Sequence, residues 1–197
     1  MEPNEKNERL PVGPMLNLYP DSVGGELSGA AAFLAQPEVR GAFDALYVLP
    51  SLFHSDLDRG FSVIDYHLEE RLAKRGDLEA IHALGISLKL DFVLNHASVQ
   101  SPQFQDLIHR GDASDYRNFF IDWNAFWQDK GALTPEGFIQ PDETLIREMF
   151  FRKPGLPILM VRFPDGSEHP YWNTFYQEIQ YPRLAAEEYA RLLNGSY

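Results

Sequence analysis

The stretch Ser87-Leu88-Lys89-Leu90-Asp91-Phe92-Val93-Leu94-Asn95-His96 decides the fold. Leu88, Leu90, Phe92 and Leu94 alternate with Lys89, Asp91, Val93 and Asn95, which is the two-residue period of a strand. Gly85 stands just upstream, after a helical pattern, where a helix would stop. A strand that follows a helix and delivers Asn95 and His96 at its carboxyl end places polar side chains as an α/β barrel does at its mouth. Taken alone, the stretch fits better a buried strand whose histidine caps a loop, because periodicity does not identify chemistry.

Working outward, Asp77 reads as the N-cap of a helix through Leu84 that feeds this strand. Residues 51–66 read as a loop. Ala45-Leu46-Tyr47-Val48-Leu49-Pro50 is a second strand, too continuous in its apolarity to be half-exposed, as in parallel sheets covered on both faces. Leu27, Ala30, Ala31 and Leu34 recur at helical spacing and Pro37 closes that helix. Met15-Leu16-Asn17-Leu18-Tyr19-Pro20 is a first strand. Strand–helix–strand–loop–helix–strand predicts a parallel sheet with right-handed crossovers. After His96 the alternation stops. Tyr116 to Trp127 reads as aromatic-rich helical pieces, and Ile158 to Phe163 with Pro164-Asp165-Gly166 as a hairpin. Trp172 to Tyr181 is a candidate return to the scaffold, and Ala185 to Leu193 a last helix stopped by Asn194-Gly195.

The 197 residues suffice for one sizeable core. A formal charge of −12 argues against nucleic acid, whose phosphates need a basic face. There is no cysteine, hence no disulfide, thiol nucleophile or thiolate metal site. No apolar run reaches the roughly 18 residues of a membrane span. Met1 to Arg9 is polar, without the apolar centre of a signal peptide, so a cytoplasmic location is expected. His54, His67, His82, His109 and His169 show no ligand spacing along the chain and read as surface or loop residues.

Six segments together resemble glycoside hydrolase family 13, the α-amylase family, and within it the sucrose phosphorylase and glucosylglycerate phosphorylase branch. Tyr19-Pro20-Asp21-Ser22 with Gly24-Gly25 looks like the entry after the first barrel strand, and Tyr47-Val48-Leu49-Pro50 like the second strand. Asp58-Arg59-Gly60-Phe61 followed by Ile64-Asp65-Tyr66 is similar to the branch's D-x-G-F…I-D-[YH] loop. Asp91-Phe92-Val93-Leu94-Asn95-His96 matches the family's D-x-x-x-N-H region. Arg152-Lys153-Pro154-Gly155-Leu156-Pro157 and Trp172-Asn173-Thr174-Phe175 resemble the inserted domain B.

The resemblance implies an α/β fold, a partial (β/α)8 TIM barrel of about three β/α units carrying an inserted domain B. In that frame residues 1–13 are a disordered lead, 14–97 the barrel units and 98–171 domain B. Residues 172–197 return to the barrel with the helix before the fourth strand. It further implies that Asp58 and His96 hydrogen-bond a glucosyl ring, that Phe61 and Phe175 wall it, and that Arg152 lies on the acceptor side. The residue types suit this. A sugar hydroxyl both donates and accepts, so carboxylate plus imidazole fixes its orientation, and an aromatic face covers the C–H surface. Against it, Asp58 also has a reading as an ordinary turn residue, and Phe61 and Phe175 as plain core. The implied ligand is an α-glucoside such as sucrose, with phosphate or another acceptor. No cofactor and no metal are implied; Asn95 matches a position near calcium in some amylases, which this branch does without.

Retaining glycoside chemistry needs two carboxyl groups about 5 Å apart. In the family they arrive on the fourth and fifth strands, the nucleophile in an apolar G-x-x-x-R-x-D strand. Here Arg75-Gly76-Asp77 and Arg110-Gly111-Asp112 have the R-x-D spacing, but both precede helical patterns and read as turn and cap residues. The branch's apolar-Asp pair is also missing near Phe175, where Gln177 and Gln180 are alternative equivalents of its Gln. A complete barrel takes about 250 residues. The chain is therefore expected to be an inactive amino-terminal fragment, with a non-catalytic carbohydrate-binding or assembly module as the alternative, and a compact α/β domain without ligand as a third reading. An open partial barrel leaves strand edges unpaired, so self-association or complementation by the missing barrel half is expected.

Overall fold

The computed structural model describes residues 12–179. The expected lead and the last helix, Ala185 to Leu193, fall outside or almost outside that span, as does Gln180. The chain divides into two compact units between Arg117 and Asn118.

In the first unit, β1 (Met15–Leu18) leads through α1 (Leu27–Leu34) to β2 (Ala45–Val48). A hairpin of β3 (Phe53–Ser55) and β4 (Val63–Leu68) follows, then α2 (Arg75–Ala83), β5 (Ser87–Leu90) and α3 (Pro102–Arg110). β1, β2 and β5 form one parallel sheet in that order, with Asn17, Tyr47 and Lys89 in register. The apolar positions explain the packing. Leu18, Leu46 and Val48 of the strands meet Leu27, Ala30 and Leu34 of α1 and Ile81 of α2, all buried. Full burial of a side chain such as Leu46 contributes about 1.5–3 kcal/mol, so this small sheet is held chiefly by its two helices. The phenol of Tyr47 donates to Asp91 Oδ1 at 2.6 Å, and that bond raises the Tyr47 pKa above its usual value.

Three expectations are corrected. The strand expected over 87–96 ends at Leu90. Its partner β2 ends at Val48, paired with Leu90, and two residues later Pro50 has no N–H to continue a ladder. Phe92 and Leu94 consequently stand 64% and 74% exposed rather than buried. Asp77 is not the N-cap of α2; it lies in the first turn, where its carboxylate accepts the Lys74 N–H at 2.8 Å and complements the positive helix end. Residues 51–66 are not irregular throughout, since they supply β3 and part of β4.

In the second unit, the helical reading of 116–127 reduces to α4 (Trp123–Phe126), capped by Asp122, whose Oδ1 accepts the Ala125 N–H at 2.9 Å. β6 (Gly131–Leu133) pairs antiparallel with β7 (Ile139–Pro141), and α5 (Glu143–Ile146) follows. The expected hairpin is present as β8 (Ile158–Arg162) and β9 (Glu168–Trp172). At its turn the Ser167 hydroxyl and amide both donate to Asp165 Oδ1, holding that carboxyl below its ordinary range. Trp123, Phe126, Trp127 and Trp172 cluster, with the Trp123 and Trp172 ring centres 4.8 Å apart. No helix among the described residues is long and apolar enough to cross a membrane.

Candidate functional site

The carboxyl ends of the three parallel strands meet at one rim. After β1, Asp21 takes the Arg59 guanidinium at 2.7 Å, and that guanidinium lies 3.9 Å from the Tyr19 ring centre. Arg59 belongs to the loop between β3 and β4, which is tied to the exit of β1 by an ion pair and a cation–π contact. After β2, the turn Pro50–Leu52 underlies the same loop. A Cβ on Gly60 would lie 2.2 Å from the Ser51 nitrogen, so only glycine allows this approach. Arg59 itself is left-handed at φ 49°. After β5, His96 Nε2 sits 2.7 Å from the Phe61 carbonyl oxygen. A carbonyl only accepts, so Nε2 carries the proton and Nδ1 is the acceptor atom of the neutral ring. Two residues on, the Ser98 hydroxyl donates to Asp56 Oδ2 at 2.6 Å and its N–H to the Val63 carbonyl at 2.8 Å.

The structure thus brings His96 to the backbone of Phe61, three residues after Asp58 in the same loop. Asp58 opens the tight turn Asp58–Gly60, whose middle residue is left-handed; Phe61 and His96 are both half-buried. In the second unit, Arg152 and Phe175 meet each other: the guanidinium carbon lies 4.7 Å from the ring centre. Phe175 follows β9, and Asn173 clamps the backbone just beyond it. The Asn173 amide donates to the Gln177 carbonyl at 2.8 Å and accepts the Gln177 N–H at 2.9 Å, with both residues buried.

Neither R-x-D segment lies on a strand, though the first lies inside its helix rather than before it. Arg75-Gly76-Asp77 forms the first turn of α2, while Asp112 binds Arg117 Nε at 2.5 Å. Two features went unread in the sequence. One is the Arg59–Asp21–Tyr19 tie. The other is a group on the hairpin, where His54 and His67 both reach the carboxylate of Asp65. Chain spacing could not show it, because one histidine comes from β3 and the other from β4. The alternation Val63-Ile64-Asp65-Tyr66-His67-Leu68 was the available signal.

Comparison with known proteins bears on this rim. No family model matches the chain. The sucrose 6(F)-phosphate phosphorylase of Ilumatobacter coccineus is 57% identical over 171 residues, covering 87% of this chain and 33% of the relative. This chain is a homologue of the sucrose phosphorylases of glycoside hydrolase family 13. The sucrose phosphorylase of Streptococcus mutans is 32% identical over 166 residues, 83% of this chain and 32% of that protein. The crystal structure of sucrose 6F-phosphate phosphorylase from Thermoanaerobacter thermosaccharolyticum superposes with a TM-score of 0.71 at 31% identity, over 85% of this chain and 32% of that one. The homologue spans about a third of the length of these phosphorylases. The structural neighbours are TIM-barrel enzymes, and the parallel β1–β2–β5 sheet is consistent with part of such a barrel.

Proposed function

We propose that the chain is the glucosyl-binding amino-terminal portion of a retaining α-glucosyl-transferring enzyme, a sucrose or glucosyl-glycoside phosphorylase or a related hydrolase. The observation that carries this reading is the bond between His96 Nε2 and the Phe61 carbonyl, which joins the exit of β5 to the loop of Asp58 in a homologue of the sucrose phosphorylases. Asp58 and His96 hydrogen-bond the hydroxyls of a glucosyl ring, and Phe61 packs on its C–H face. In the second unit, Phe175 and Arg152 pair an aromatic face with a cation, groups suited to a sugar face and to an anionic acceptor. Nε2 is already bonded to the Phe61 carbonyl and Nδ1 is buried, so in this reading the imidazole turns as the sugar arrives. The acids that break the glycosidic bond are supplied from outside these residues, and the second substrate is phosphate or another acceptor.

Titration of the isotopically labelled chain with glucose, followed by NMR, tests this. Asp58→Ala is expected to weaken binding by about tenfold or more, the loss of one hydrogen bond to a charged group, with the circular dichroism spectrum unchanged. Equal affinities in the parent, Asp58→Ala and His96→Ala chains would overturn it.

The same reading bears on assembly. Leu90, Phe92 and Leu94 are exposed at and just beyond the edge strand β5. An edge of this kind invites pairing. The chain is expected to self-associate or to pair with the remaining barrel half. Size-exclusion chromatography and melting at several concentrations check this, and a sharp, concentration-independent melt from a monomer would count against it.

A further inference from the structure

We propose that His54, Asp65 and His67 form a binding site for one divalent ion of the zinc class, on the β3–β4 hairpin and separate from the strand-exit rim. Asp65 and His67 are two residues apart on β4 and share a face; His54 comes across from β3. His54 Nδ1 lies 3.0 Å and His67 Nδ1 3.1 Å from the same oxygen, Asp65 Oδ1. One donor atom from each of the three residues falls within 4.8 Å of the others. Ligands held at about 2.0–2.2 Å from a metal stand roughly 3.0–3.5 Å apart along a tetrahedral or octahedral edge. The two nitrogen–oxygen separations already have that spacing, and the nitrogens, within 4.8 Å of each other, are brought onto one ion by side-chain rotation.

The donor set selects the ion. Two imidazoles and one carboxylate suit zinc, nickel or copper, whereas magnesium and calcium take oxygen cages. The carboxylate is oriented from within the strand, since the His67 N–H donates to Asp65 Oδ1 at 2.8 Å. The neighbouring acid, Glu69, is engaged with Arg71 at 2.9 Å. Access is open: the His67 side chain is 83% exposed, so the remaining positions on the ion are filled by water or by an incoming ligand. The ion would clip β3 to β4, the two strands whose connection carries Asp58 and Phe61. This proposal does not depend on the glucosyl reading.

Calorimetric titration of the untagged full chain with zinc chloride tests it. One ion per chain is expected. His54→Gln and His67→Gln each weaken binding by about tenfold or more, and the double variant abolishes it. His109→Gln, on α3, leaves it unchanged. Zinc raises the melting temperature of the parent chain but not that of the double variant, and cobalt in its place produces visible absorption that the double variant lacks. His67 is exposed enough that His67→Gln keeps the fold, which circular dichroism verifies. Absence of saturable zinc binding by the parent, or undiminished binding by the double variant, would overturn the proposal.

Discussion

The isolated chain, mixed with sucrose or sucrose 6-phosphate and inorganic phosphate, is expected to release no glucosyl phosphate above background. Transfer with retention needs one carboxylate to attack the anomeric carbon and a second carboxyl group, about 5 Å away, to protonate the leaving oxygen. The segments with R-x-D spacing cannot serve. The Asp77 carboxylate accepts an amide at the start of α2, and Asp112 is held by Arg117. Without the pair, the rate is expected to fall by about six orders of magnitude or more below that of a complete enzyme. An assay of phosphate-dependent sucrose cleavage measures this directly. Robust turnover by the chain alone would show that an acid pair lies within it.

Gly60→Ala unfolds the rim. At φ 104° the backbone of residue 60 is in a region that side chains rarely enter, and strain of that kind costs about 1–3 kcal/mol. The new Cβ would also meet backbone atoms, 2.2 Å from the Ser51 nitrogen and 2.3 Å from the Pro50 carbonyl carbon. Backbone cannot swing aside as a side-chain tip can, so the loop must leave its seat. A destabilisation of about 3 kcal/mol or more is expected in urea unfolding, together with loss of any glucose-induced shifts at Phe61 and His96. Gly76→Ala is the contrasting case. Gly76 lies within α2 with nothing inside 4 Å of its missing Cβ, so alanine there is expected to stabilise by about 0.5–1 kcal/mol. If Gly60→Ala melts with the parent, the packing of the loop on Pro50–Leu52 is wrong.

The parts of the fold legible from sequence are those where burial wrote a period. Leu27, Ala30 and Leu34 repeat at helical spacing and are buried on the sheet, and the unbroken apolar run of β2 reflects its central place between β1 and β5. The 158–172 hairpin was legible through its Pro-Asp-Gly turn. The pattern misled where it outran its partner: Phe92 and Leu94 continue the alternation of β5, yet β2 has already stopped. It was silent where contacts are local and polar. The β3–β4 hairpin is short, its register shifts between Phe53 and Ser55, and its histidines and acids resemble loop composition. Asp58, Phe61 and His96 were singled out through the family resemblance, and of these the structure joins His96 to the Phe61 carbonyl. Arg59 was not, because its contacts with Asp21 and Tyr19 join residues some forty positions apart through loop geometry that no periodicity encodes.

A chimera in which this chain replaces the matching third of the Ilumatobacter coccineus phosphorylase puts the rim against bond cleavage in one measurement. An active chimera is expected to lose about three orders of magnitude of phosphorolysis on Asp58→Ala or His96→Ala, the loss of several kcal/mol of transition-state binding. An active chimera indifferent to both substitutions would contradict the account.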